Sequence, residues 1–235
     1  MNSLESELER ARDLDVDEVA DAIESIGFSC TRCGACCTRE DADEHTATVF
    51  PDEVRHLLDD SSGGTGREWR DVARPMPYGL AETDAGDLEG ETFEWALATD
   101  GCGDCVFYEE ADGVGACTVH AERPLICRTY PFSLDLSGTS QPMGDAVDSV
   151  ALPADRETDG ERGIVQVHEC EGLGRDIPRA DAEELAAALK ARAIRELEEA
   201  IALRDAYEPA APGPGEVVVH DSEGAKRADG TSHEE

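Results

Sequence analysis

The sequence has very little positive charge. Its 235 residues include 20 basic and 55 acidic side chains, for a formal net charge of −35, and lysine occurs only at Lys190 and Lys226. Proteins that bind nucleic acid neutralise phosphates with a basic stripe. This chain has no such stripe, so we expect no nucleic-acid partner.

Long apolar segments are also missing. The first residues, MNSLESELERARDLDVDE, lack the apolar core of a signal peptide, and no run of about 18 apolar residues occurs. We therefore expect no membrane partner and a cytoplasmic location. In a reducing cytosol, nine cysteines indicate metal or redox chemistry more than stable disulfides.

Aromatic residues are scarce as well, at 5%, while the chain contains 22 glycines and 11 prolines. This composition predicts a thin apolar core. Metal cross-links help most in such a chain, because the binding free energy of a structural site becomes folding free energy.

The excess acidic charge is spread along the whole chain, which argues against an acidic interaction tail. A hydrophobic content of 40% argues against disorder throughout. Such a composition is typical of adaptation to molar salt, where the Debye length shrinks to about 3 Å and self-repulsion is quenched. We therefore predict a halophilic, acidic protein.

The local patterns predict an α+β fold. We expect a small, loop-rich domain stapled by cysteines and metal, with a short hairpin around Asp112-Gly113. The predicted segments are N-terminal helices at 1–27, a cysteine-cluster metal-binding domain with acidic insertions at 28–178, a long C-terminal helix packed on it at 179–207, and a disordered acidic tail at 208–235.

Four cysteines stand within eight residues: Cys30, Cys33, Cys36 and Cys37. Nothing about a core requires thiols at this spacing. A Cys-x2-Cys-x2-Cys run wraps three thiolates around an iron–sulfur cluster, with a fourth supplied from elsewhere. Two distant Cys-x2-Cys pairs are the layout of a tetrahedral zinc site, and Cys102 and Cys105 form a second pair. The spacing permits both metals.

Cys37 raises the question of how many centres there are. Adjacent side chains usually point apart, so Cys36 and Cys37 are difficult to place on one ion. Either one of them is a bystander, or the loop serves two centres. In the second case, four later cysteines complete two four-thiolate sites: Cys105, Cys117, Cys127 and Cys170. Cys102 stays open as a ligand or a spare thiol.

Four stretches, SCTRCGACC, CVFY, CTVHAERPLICRTYPF and CEGLGR, together resemble the YkgJ-type cysteine-cluster proteins, also called the CxxCxxCC zinc- or iron-chelating domain family. The resemblance covers about residues 28–176. Cys102 departs from the family pattern, and the family leaves the metal open. The metal ligands that the resemblance implies are Cys30, Cys33, Cys36, Cys37, Cys105, Cys117, Cys127 and Cys170.

Two arginines flank Cys127 and are candidate cofactor-binding residues. Four thiolates carry more negative charge than a zinc ion carries positive charge, and Arg123 and Arg128 would offset the excess or donate to sulfur. The alternative is that both form surface ion pairs with the abundant carboxylates.

These features predict a metal-chelating protein that binds an iron–sulfur cluster or zinc through up to eight thiolates, with a redox or accessory role and a protein or redox partner. Iron–sulfur is preferred, because the triple cysteine run is ferredoxin-like. An enzyme is a second interpretation, either an iron–sulfur oxidoreductase or a methylase, since flagellin lysine methylases carry a similar cluster. No S-adenosylmethionine signature supports the methylase. A third interpretation is a zinc-stapled interaction module.

Overall fold

The structure is a computed structural model, and it describes residues 3–39, 44–59, 66–136, 146–153 and 164–233. The helices in these ranges are α1 (Leu4–Asp13), α2 (Val16–Ile26), α3 (Pro51–Asp59), α4 (Leu125–Thr129) and α5 (Arg179–Ala206). The strands are β1 (Thr48–Val49), β2 (Ala73–Pro75), β3 (Ala81–Glu82), β4 (Leu88–Thr92), β5 (Trp95–Leu97), β6 (Tyr108–Ala111), β7 (Val114–Cys117), β8 (Phe132–Leu134), β9 (Asp148–Val150), β10 (Val165–Val167), β11 (Val217–Asp221) and β12 (Gly224–Arg227). The predicted α+β class, with N-terminal helices and a long C-terminal helix, is confirmed.

The chain divides into two compact units. Unit 1 comprises residues 1–33 and 125–198, and unit 2 comprises residues 34–124 and 199–235. The boundaries therefore differ from the predicted segments, because the cysteine-rich region 28–178 is shared between the units and α5 contributes to both. None of the described helices is both long enough and apolar enough to cross a membrane.

Unit 1 contains α1, α2, α4, most of α5 and one antiparallel sheet of order β8-β10-β9. Asp15 caps the start of α2, and its side chain accepts a 2.8 Å hydrogen bond from the N–H of Asp17, while Gly27 follows the last residue of the helix. Its apolar face is buried, with Val19 and Ile23 fully covered. This amphipathic spacing is what the sequence predicts for the N-terminal helices.

Unit 2 is built mainly from β-structure. It contains the antiparallel sheet β1-β5-β2, a sheet of order β12-β11-β4-β3 and the hairpin β6-β7. In the second sheet β11 runs parallel to β4 and antiparallel to β12. The hairpin turns at Asp112 and Gly113, both of which have positive φ, where the sequence predicts it.

The prediction of a disordered tail at 208–235 is wrong for most of that segment. Strands β11 and β12 form there, and Val218 and Val219 are fully buried. The carboxylate of Asp221 accepts from Trp95 Nε1 at 2.9 Å and pairs with Lys226 Nζ at 2.8 Å. Chain termini are often disordered, but here consecutive β-branched valines supply enough apolar burial to form a strand.

Candidate metal centre

The eight predicted ligands are divided equally between the two units. Unit 1 holds Cys30, Cys33, Cys127 and Cys170, and unit 2 holds Cys36, Cys37, Cys105 and Cys117 together with Cys102. The CxxCxxCC run is thus split between Cys33 and Gly34, so its first and last pairs of thiols lie in different units.

In unit 2, a tight turn carries Cys36 and Cys37. The carbonyl of Gly34 accepts from the N–H groups of Cys37 at 2.7 Å and Thr38 at 3.1 Å. The two Sγ atoms lie 3.8 Å apart. The expectation that these side chains point apart is wrong here, because the turn closed on the Gly34 carbonyl brings the two sulfurs together.

Gly34 makes this turn sterically feasible. Its φ is +82°, and a Cβ at this position would lie 2.2 Å from the hydroxyl oxygen of Tyr108. Tyr108 begins β6 and donates from that hydroxyl to Glu110 at 3.0 Å. Both residues went unnoticed in the sequence, where the only signal was a glycine inside the cysteine run.

Cys105 and Cys117 come from two further parts of unit 2. The N–H of Cys105 donates to the carbonyl of Cys37 at 2.9 Å, and Cys117 is the last residue of β7. The thiol groups of Cys36, Cys105 and Cys117 interact electrostatically with one another. Three segments that are remote in sequence therefore bring thiols to one region.

Cys102 occupies a different environment from Cys105. It is exposed, whereas Cys105 is buried. The side chain of Asp100 accepts from the N–H groups of Cys102 at 2.7 Å and Asp104 at 3.1 Å, which holds the intervening residues in a tight turn. Of the two, Cys105 is the one whose thiol interacts with Cys36 and Cys117.

The thiols of unit 2 differ widely in acidity. The hydrogen bond with Cys37, aided by the charge of Arg123, lowers the pKa of Cys36 to about 7. Burial raises the pKa of Cys105 to about 11, and burial also raises the pKa of Cys117. Without a metal, Cys105 and Cys117 are therefore protonated at neutral pH.

The two predicted arginines lie in different units. Arg123 belongs to unit 2, where its charge favours the thiolate forms of Cys36 and Cys117, and its Nε donates to the carbonyl of His120 at 3.0 Å. Arg128 lies on α4 in unit 1 and is exposed. The electrostatic environment thus connects Arg123 with the unit 2 thiols.

His45 forms a hydrogen bond with the turn that carries Cys36 and Cys37. Its ring is buried, and Nε2 lies 3.2 Å from the carbonyl oxygen of Cys36, which accepts the hydrogen bond. Burial lowers the pKa of this imidazole, so the neutral ring holds the main chain of Cys36.

In unit 1, the segments that carry Cys30 and Cys170 are paired through their main chains. The N–H of Ser29 donates to the carbonyl of Gly172 at 3.0 Å. A Cβ on Gly172 would lie 2.5 Å from the Ser29 carbonyl oxygen, so only glycine permits this approach. Two cysteines far apart in sequence thus lie on adjacent segments.

Cys127 of unit 1 is close to the same region. It lies on α4, and Tyr130, one helical turn later, donates from its hydroxyl to the carbonyl of Glu169, the residue before Cys170. The N–H of His168 donates to the carbonyl of Pro131 at 2.8 Å. These contacts fix the end of α4 beside the segment that leads into Cys170.

In the described ranges, no three His, Cys, Asp or Glu side chains are arranged so that they could hold a metal ion as they stand. The Sγ atoms of Cys36 and Cys37, 3.8 Å apart, are close enough to bind one ion together. An ion with metal–sulfur bonds of about 2.3 Å and tetrahedral angles holds its sulfurs about 3.8 Å apart. The proposed donors of unit 2 are all thiols, which soft metals prefer. The spacing of Cys36 and Cys37 also suits binding to a single ion.

Comparison with protein families gives one match. Residues 29–151 match the model "CxxCxxCC: Putative zinc- or iron-chelating domain". The matched region includes seven of the eight predicted ligands and ends before Cys170. No curated protein and no solved structure matches the chain.

Proposed function

Because the chain belongs to the CxxCxxCC zinc- or iron-chelating family, we propose that it chelates metal through two separate four-thiolate donor sets, one in each unit. The set in unit 2 is Cys36, Cys37, Cys105 and Cys117. The set in unit 1 is Cys30, Cys33, Cys127 and Cys170. The equal division of these cysteines between the units supports two sets rather than one.

The distance between the sulfurs of Cys36 and Cys37 carries the proposal for unit 2. At 3.8 Å, it equals the separation of two thiolates on one tetrahedral ion with metal–sulfur bonds of about 2.3 Å. A single zinc or iron ion fits this spacing.

Rotation of the Cys105 and Cys117 side chains would complete the set. The main-chain bond from Cys105 to Cys37 already holds the segments of these two cysteines together. Both thiols are protonated at neutral pH because burial raises their pKa, and a metal must displace their protons to bind. Arg123 would then offset part of the negative charge of the thiolates.

The ion would supply folding free energy by cross-linking the turn at Gly34–Thr38, the segment at Cys105 and the end of β7. Such a role suits a chain with few aromatic residues. We propose a metal-stapled accessory protein, in which the thiolate centres stabilise each unit.

Metal analysis of the full-length chain tests this function. Elemental analysis of protein purified anaerobically in high salt should give about two zinc or iron ions per chain, without acid-labile sulfide. Cys117→Ser should lose about one ion per chain, and Cys127→Ser should lose the other. Cys102→Ser is the matched control and should retain both.

Three results would contradict the proposal. These are full metal content in both ligand variants, loss of metal in the Cys102→Ser control, and stoichiometric sulfide that accompanies iron. The last result would restore the iron–sulfur interpretation.

A further inference from the structure

The turn that carries Cys36 and Cys37 places two thiols side by side. Their Sγ atoms lie 3.8 Å apart, and a disulfide bond is about 2.05 Å long, so the sulfurs must approach by about 1.8 Å to bond. We infer that this pair is a redox switch, in which exchange with a low-molecular-weight disulfide joins Cys36 to Cys37 and prevents unit 2 from binding metal. The loss of metal rests on the proposed function, whereas the formation of the bond rests on the geometry of the turn.

Main-chain hydrogen bonds hold the two cysteines in this turn. The carbonyl of Gly34 accepts from the N–H of Cys37 at 2.7 Å, and the carbonyl of Cys37 accepts from the N–H of Cys105 at 2.9 Å. The carbonyl oxygen of Cys36 lies 3.2 Å from Nε2 of His45. The proximity of the two sulfurs is therefore a property of the folded main chain.

Access determines which thiol reacts first. Cys36 is exposed and Cys37 is partly covered, whereas Cys105 is buried. Exchange requires that the attacking thiol can reach the disulfide. A small disulfide in solution can therefore reach Cys36, and Cys37 is the adjacent thiol that resolves the mixed disulfide.

The exchange is balanced in two steps. The sulfur of Cys36 attacks one sulfur of the small disulfide, which forms a mixed disulfide and releases one small thiol that carries away the Cys36 proton. The sulfur of Cys37 then attacks the Cys36 sulfur, which forms the Cys36–Cys37 bond and releases the second small thiol with the Cys37 proton. The two cysteines together lose two electrons and two protons, and the small disulfide gains them.

The disulfide and the metal exclude each other. A metal binds thiolates, and a sulfur in a disulfide has lost that negative charge. The bond would remove two of the four proposed donors of unit 2 and involves none of the proposed donors of unit 1. A disulfide between adjacent residues closes a small, strained ring, and strained or exposed disulfides are readily reduced. A reductant should therefore restore the site.

Oxidised glutathione is the probe for this switch. The full-length, metal-loaded chain is incubated with it in high salt, desalted, alkylated and digested with trypsin. The peptide 33–39 contains Cys33, Cys36 and Cys37. Its fragments should show a Cys36–Cys37 disulfide, lighter by two hydrogens than the two free thiols, and an alkylated Cys33. Metal content should fall from about two ions per chain to about one, and dithiothreitol with added metal should restore it.

Cys37→Ser separates the two steps of the exchange. The variant should stop at the first step, so that Cys36 keeps one glutathione and forms no internal bond. Cys102→Ser is the matched control, because Cys102 is also exposed but lies outside the proposed donor sets. The Cys36–Cys37 bond should form in this control as in the unaltered chain. Both readouts are sulfur states in a peptide, so neither requires that the variant binds metal.

The possible failures can be distinguished. If the oxidised chain lacks the Cys36–Cys37 bond, or if Cys36 is joined to another cysteine, the switch is overturned and the proposed thiolate centres stand. If the bond forms and the full metal content remains, the switch and the proposed donor set of unit 2 are both overturned. A chain that contains no metal before oxidation overturns the proposed function and, with it, the switch.

Discussion

The N–H of Cys105 donates to the carbonyl of Cys37 at 2.9 Å. This main-chain bond joins two of the proposed ligand segments independently of their side chains. Ordinary main-chain hydrogen bonding therefore holds these two segments together without a metal.

The first prediction concerns Gly34. Gly34→Ala should destabilise unit 2 by about 1–2 kcal/mol, the cost of a left-handed conformation for a residue with a Cβ, and the clash with Tyr108 adds to it. Denaturant unfolding and metal content measure the effect. Gly101→Ala is the control, because a Cβ at Gly101 meets nothing within 4 Å. Equal stability of the two variants would contradict the assigned role of Gly34.

The second prediction concerns thiol reactivity in the metal-free chain. At about pH 7, Cys36 should be about half ionised and Cys105 almost entirely protonated, so an alkylating agent should modify Cys36 faster than Cys105. The pKa of about 7 for exposed Cys36 and of about 11 for buried Cys105 set this order. Timed alkylation followed by peptide mass spectrometry measures it, and similar rates at both thiols would contradict it.

The sequence predicts the ligand residues more successfully than their grouping. Residue spacing and the family resemblance identify the eight thiols, but the split between Cys33 and Gly34 depends on which segments pack together. The turn that brings Cys36 beside Cys37 also depends on tertiary contacts, since Tyr108 packs over Gly34. Local sequence patterns could not predict either the division of the cysteines between the units or this turn.

The same limit explains the missed strands of the segment 208–235. The strand at Val217–Asp221 lies beside β4 in parallel, a non-local pairing that composition cannot reveal. Helices α1, α2 and α5, whose signals are local, were predicted correctly.

The third prediction concerns the pH dependence of metal affinity. Because the pKa of Cys105 and that of Cys117 are raised, protons compete with the metal across the neutral range. Affinity should rise by about a hundredfold from pH 7 to 8, since both thiols lose a proton on binding and each displaced proton contributes a factor of about ten. Competition with a chelator of known protonation measures this slope, and a flat profile would contradict thiol ligation.

The folding stability of the metal-free chain should also depend on pH. The lowered pKa of Cys36, about 7 against an ordinary 9.0, contributes stability that is present above pH 9 and lost as pH falls towards 7. The raised pKa of Cys105, about 11, opposes this by destabilising the fold between pH 9 and 11. A Cys105→Ala variant should therefore lose less stability than the unaltered chain as pH rises through that upper window.

The fourth prediction concerns salt. With a net charge of −35, the chain should lose far-UV circular dichroism when KCl falls from about 3 M to 0.1 M, because self-repulsion is then less screened. Metal should be kept saturating in both buffers, so that the change reports charge and not metal loss. An unchanged spectrum would contradict adaptation to high salt.

X-ray absorption at the metal edge tests the central claim most directly. Applied to a Cys127→Ser variant, in which only the unit 2 centre is loaded, it should show four sulfur neighbours at about 2.3 Å and no metal neighbour nearby. A short metal–metal distance, or a first shell dominated by nitrogen or oxygen, would contradict a single ion held by Cys36, Cys37, Cys105 and Cys117.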